Sequence, residues 1–67
     1  MTDIKFLKEK IKDSGMTIVS IAEKSSIDRA TLYNRLNGKG DFTASEIVGL
    51  STTLRLTKPE RDRIFLS

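Results

Sequence analysis

Apolar residues recur along this chain at helical spacing in short segments separated by polar or glycine breaks. The pattern predicts an all-α, compact bundle of about five short helices. In the first segment, residues 1–14, Ile4, Leu7 and Ile11 fall at i, i+3 and i+7, so they share one stripe with Phe6 at its edge. Asp3 can cap its start, and Gly15 stands where the left-handed backbone that ends a helix is least costly. The second segment, residues 17–24, carries Ile18, Ile21 and Ala22 on one side, and the third, residues 28–37, carries Leu32 and Leu36. Ser25, Ser26 and Ile27 between them are too few for a long loop. The two helices must therefore meet at a sharp angle, with Ala22, Ile27 and Leu32 at the elbow. A residue as small as Ala22 is what close approach of two helices requires.

Residues 37–42, NGKGDF, read as a true loop: two glycines make it flexible, and Lys39 at its tip can reach a phosphate. Its GxG lacks the third glycine and the preceding strand that a nucleotide cradle needs. Thr43-Ala44-Ser45-Glu46 then forms a capping box, in which the Thr hydroxyl and the Glu carboxylate satisfy each other's backbone N–H groups. Phe42, just outside it, is placed to act as a hydrophobic staple. Ile47, Leu50 and Leu54 form the buried stripe of the fourth helix, with Val48 beside it. Thr57-Lys58-Pro59-Glu60 repeats the box, with the proline in the first turn, where a missing N–H costs nothing. The last helix runs to about Phe65, and Ile64, Phe65 and Leu66 stand together at its end. That is more apolar surface than so short a helix easily buries. Two readings stay open: these residues form the surface of a homodimer, or Phe65 packs back on the first helix of a monomer.

Sixty-seven residues suit one domain, residues 1–67. A chain of this size buries only about 60% of its unfolded surface, so its core is small. Cysteine and histidine are both absent, which removes disulfides, soft-metal sites and the usual nucleophile–base pairs. No enzyme, metal or cofactor is expected. No apolar run reaches the length of a signal peptide or membrane span, which predicts a cytoplasmic protein with no membrane partner. The lysine-rich first helix could lie on a membrane surface, but its apolar stripe is narrow and the following helices need it as a partner.

Charge adds a location more than a magnitude. Twelve basic residues against nine acidic give a net +3. Residues 1–40 hold eight Lys/Arg and five Asp/Glu, while residues 41–67 hold four of each, so the whole surplus lies in the first part. Arg29, Arg35 and Lys39 run from the third helix into the loop with no carboxylate among them, a footprint suited to phosphate as well as to plain solvation. Asp28 is a good N-cap for the third helix. With Leu32 and Leu36 facing inward, Ala30, Tyr33, Asn34 and Asn37 face outward and Arg29 stands at the boundary. Arg can bond guanine through O6 and N7, Asn can bond adenine through N6 and N7, and Ala can admit a thymine methyl.

Residues 17–38 resemble the helix-turn-helix of the Cro and lambda-repressor-like family. Thr17, Ile21-Ala22, Ser26, Ile27, Leu32 and Asn37-Gly38 stand in that family's places, and LYNRLNGKGDFTASEIVGL with the later Ile64-Phe65 pair is similar to small phage regulators. The resemblance implies that the second helix lies across the DNA backbone, with Thr17 and Ser20 at a phosphate. It also implies that the N-terminal part of the third helix enters the major groove. Arg29, Ala30, Tyr33 and Asn34 are then the expected base readers. Thr31, Arg35, Asn37 and Lys39 are the expected phosphate contacts. Two positions depart from the family: Ile18 replaces a frequent Gln, and Arg35 stands where many members have an apolar residue. The function implied is a sequence-specific, double-stranded-DNA-binding transcriptional regulator of phage or prophage type. The alternative is a phage-type modulator that binds a partner regulator protein.

Overall fold

The structure, a computed structural model, describes residues 1–66. The expected five helices are present: α1 Ile4–Ser14, α2 Ile18–Ser25, α3 Arg29–Leu36, α4 Ala44–Thr53 and α5 Lys58–Phe65, with no strand among the described residues. Each starts on a side chain that satisfies an otherwise unpaired backbone donor. The Asp3 carboxylate accepts from Phe6 N–H at 3.1 Å, the Thr17 hydroxyl from Ser20 N–H at 3.1 Å, and Asp28 from Ala30 and Thr31 N–H at 3.1 and 3.3 Å. Thr43 with Glu46, and Thr57 with Glu60, close both reciprocal boxes. Such caps are typically worth about 1 kcal/mol each, which matters in a chain with so small a core.

Three of the helices end in the same way. Beyond α2, α3 and α4 the chain takes one residue in left-handed backbone, and the next N–H reaches back to a carbonyl of the last turn. These bonds are Ile27 to Ala22 at 3.0 Å, Lys39 to Asn34 at 2.8 Å and Leu56 to Ser51 at 2.9 Å. The left-handed residues are Ser26 (φ 57), Gly38 (φ 81) and Arg55 (φ 53). Only the second has the glycine that such a backbone favours.

The core draws one fully buried residue from each helix: Leu7, Ile21, Leu32, Leu50 and Ile64. Full burial of each contributes roughly 1.5–3 kcal/mol. Helix α2 packs mainly on α4 and α3. Its backbone lies so close to α4 that a Cβ placed on Gly49 would stand 2.5 Å from the Ser25 carbonyl oxygen. Ser25 is itself buried and shares a 3.0 Å hydrogen bond with the Thr53 hydroxyl. At the other end, α1 meets α5 through side chains. The Lys10 ammonium donates to Glu60 at 2.7 Å, and the Arg63 guanidinium stacks 3.7 Å from the centre of the Phe6 ring. The Asp3 N–H also reaches the Ile64 carbonyl at 2.7 Å. Lys10, and behind it the Thr57 backbone N–H, hold the Glu60 carboxyl below the usual carboxylate range.

At the end of α5 the three apolar residues part ways. Ile64 and Phe65 are buried, and of the three only Leu66, at 75% exposure, faces solvent. The reason is Phe42. Its ring leaves the α3–α4 loop for the core and meets Phe65 edge-on, with centroids 5.6 Å apart and planes at 79°. Helical periodicity could not place a loop ring there. Val48, expected beside the buried stripe of α4, is 65% exposed.

Candidate nucleic-acid interface

The elbow forms as its spacing predicts: Ala22, Ile27 and Leu32 are all buried, which locks α2 against α3 across the short turn. Burying Leu32 and Leu36 turns the opposite face of α3 outward. Ala30, Tyr33 and Asn34 are exposed on that face, Arg29 is exposed at its boundary beside Val19 and Glu23 of α2, and Asn37 and Lys39 continue the exposed surface past the helix end. Tyr33 is 47% exposed. Thr31 and Ser20 are half-buried, and Thr17 is exposed at the start of α2.

Capping shapes what these groups can offer. Thr17 Oγ1 already accepts from Ser20 N–H, so the group it retains for a phosphate is its hydroxyl proton. Asp28 takes the N–H groups of Ala30 and Thr31, leaving Thr31 its hydroxyl and placing a carboxylate at the front of α3. The exposed cations on this surface are Arg29 and Lys39, with Asp28 and Asp41 exposed near them.

Arg35, expected among the phosphate contacts, turns inward. Its side chain is 23% exposed, and Nε lies buried 3.5 Å from Glu46 Oε1, an ion pair rather than a hydrogen bond. Nη1 donates to the Lys39 carbonyl at 3.5 Å. The run from Arg29 to Lys39 is free of carboxylates in sequence but not in space, because the start of α4 brings Glu46 to it. Glu46 is the acidic member of a capping box by its local spacing, and its second partner arises only once α3 and α4 are packed. Gly40, by composition a source of flexibility, has a defined place. It is held at φ 83, and a Cβ there would stand 2.6 Å from Arg35 Nη1.

No group of His, Cys, Asp or Glu side chains among the described residues could hold a metal ion. No helix among them is long and apolar enough to cross a membrane. What the fold presents is an exposed polar helix braced by a second helix at a tight turn over a shared core, the arrangement of a helix-turn-helix DNA-binding domain. A helix-turn-helix family model matches residues 7–60, and the chain belongs to this lambda repressor/Cro-like family. By that membership it is a DNA-binding transcription regulator, in a family that is regulatory and not enzymatic. Comparison with curated proteins and with solved structures found no match.

Proposed function

We propose that this domain is a sequence-specific, operator-binding regulator of the phage or prophage Cro/repressor type, acting by occupancy. The observation that carries this reading is the outer face of α3, where Arg29, Ala30, Tyr33 and Asn34 are exposed together on a helix fixed by its buried face. Arg29 and Asn34 supply the donor and acceptor pairs that distinguish guanine and adenine edges. Ala30 leaves room for a thymine methyl, and Tyr33 adds a hydroxyl and ring edge. Around this face Thr17, Ser20, Thr31, Asn37 and Lys39 contact phosphates, and these contacts set register without reading sequence. A bound domain covers the operator and so competes with polymerase or with another regulator.

A second copy completes the site. Ala44, Ile47, Val48, Phe65 and Leu66 line an apolar groove between α4 and α5, with Arg61 and Asp62 on its rim. Arg61 and Asp62 pair with each other at 3.6 Å, which leaves Val48 and Leu66 as the exposed apolar contacts for a second copy about a two-fold axis. Ile64, being fully buried, takes no part. Such a dimer sets two α3 helices on successive major-groove turns about 34 Å apart.

Selection of bound duplexes from a randomised DNA pool at near-physiological salt tests this directly. The expected product is an inverted repeat with half-site centres about 10 base pairs apart. Retention that is salt-sensitive but shows no enriched sequence would overturn specific operator binding. It would favour a modulator that docks on a partner regulator protein, a reading that draws support from the exposed carboxylates of Asp28 and Asp41.

A further inference from the structure

The loop that carries Lys39 contains two glycines, so by composition it should be mobile and Lys39 should lose much freedom on binding a phosphate. Its surroundings are otherwise. The Lys39 N–H is bonded to the Asn34 carbonyl at 2.8 Å, and its C=O accepts from Arg35 Nη1 at 3.5 Å, so both peptide groups flanking its Cα are tied to α3. The Arg35 head that makes the second tie is itself confined. Gly40 lies against it: a Cβ at that position would stand 2.6 Å from Nη1 unless the guanidinium moved. Glu46 faces its Nε, and Glu46 Oε1 is fixed in turn by the Thr43 N–H at 2.9 Å. One guanidinium thus joins the end of α3, the loop and the first turn of α4.

We propose that Arg35 is a positioning residue for DNA docking: it holds the Lys39 peptide, and with it the loop after α3, in the geometry in which the Lys39 ammonium meets a phosphate. The inference rests on the DNA-binding reading above and deepens it. Its physical basis is preorganisation, because a cation on a backbone already ordered in the free protein loses less entropy on binding than one on a floppy loop. The planar fork is essential to the device. It spans a carboxylate and a carbonyl at once, which the single ammonium of lysine does not do with the same geometry.

Arg35→Lys tests this without changing charge. Affinities of the wild type, Arg35→Lys, Lys39→Ala and the double variant are measured across a salt series, on the selected operator and on a random-sequence duplex of the same length. Melting temperatures are recorded alongside. Positioning predicts that Arg35→Lys weakens binding to both duplexes alike and lowers the magnitude of the salt slope by about 0.9, one phosphate contact, although net charge is unchanged. Lys39→Ala should then add little in the Arg35→Lys background. If Arg35 itself touches a phosphate, lysine preserves the slope and Lys39→Ala has its full effect in both backgrounds, which overturns the proposal. A lower melting temperature with undiminished affinity of the folded protein overturns it as well, by reducing Arg35 to a stabilising contact. Failure of the wild type to bind either duplex would show in the reference arm, and would remove the DNA reading itself together with this inference.

Discussion

The α2–α4 contact and the α1–α5 contact hold the same small bundle together by different means. Between α2 and α4 the backbones nearly touch at Gly49 and Ser25, and the Ser25 and Thr53 hydroxyls hydrogen-bond to each other. Between α1 and α5 the link includes the Lys10–Glu60 pair, with side chains 24% and 28% exposed, and the Arg63–Phe6 stack. Close-packed interiors cannot absorb even a methyl group without strain, whereas exposed ion pairs are screened and compensated by water. The α2–α4 contact is therefore the less yielding of the two. At the α1–α5 contact it is the ion pair and the stack that tolerate change, not the fully buried Leu7 and Ile64.

The sharpest way to break that comparison is Gly49→Ala. The added methyl meets a backbone carbonyl that has no rotamer to escape into, so about 1–3 kcal/mol of stability should be lost, read by chemical denaturation. A loss too small to measure would mean that α2 and α4 slide apart freely and are not the less yielding pair. Next in size is Asn34→Ala, on the exposed face of the same unit. It should cost about 1–3 kcal/mol of discrimination between operator and altered sites while leaving the melting temperature unchanged. Equal losses on every sequence would remove Asn34 from the base readers.

Smaller effects of opposite sign are expected at the left-handed helix ends. Ser26→Gly and Arg55→Gly relieve a strained backbone and give back part of the gain through the freer unfolded chain, for a net gain of about 0.5–1 kcal/mol each. No rise in melting temperature for either would show that local hydrogen bonds already offset the strain. The smallest change should come from Glu60→Gln at the α1–α5 contact. The Glu60 carboxyl is held below its ordinary value by Lys10 and the Thr57 N–H, so its contribution is present above the unfolded value and is lost as pH falls through the lowered folded value. Melting curves of the variant and the wild type should thus differ slightly at neutral pH and converge in acid. A difference that widened in acid would contradict this.

Much of the architecture was legible in local chemistry. The capping residues Asp3, Thr17, Asp28, Thr43 and Thr57 each start a helix, because a side-chain acceptor near its own backbone donors needs nothing distant. The elbow at Ala22, Ile27 and Leu32 and the outward turn of the polar α3 face follow from the period of the apolar positions. Gly49 is a weaker local sign: a lone glycine inside an apolar helical segment marks close backbone approach without naming the partner. The destinations of Phe42 and Phe65 had no such signal, since a ring in a loop can serve as a local staple or enter the core.

What the sequence by itself determined is what depends on residues a few positions apart: where helices begin and end, which face of each is apolar, and which polar groups are left on the outer side of α3. The tertiary structure alone decided the pairings between distant segments. It set Phe42 against Phe65, Gly49 against Ser25, and Glu46 beside Arg35, whose guanidinium also meets the Lys39 carbonyl. The physical reason is range: capping and periodicity act within about one or two helical turns. The partner of a ring or a guanidinium depends on which helices the shared core brings side by side.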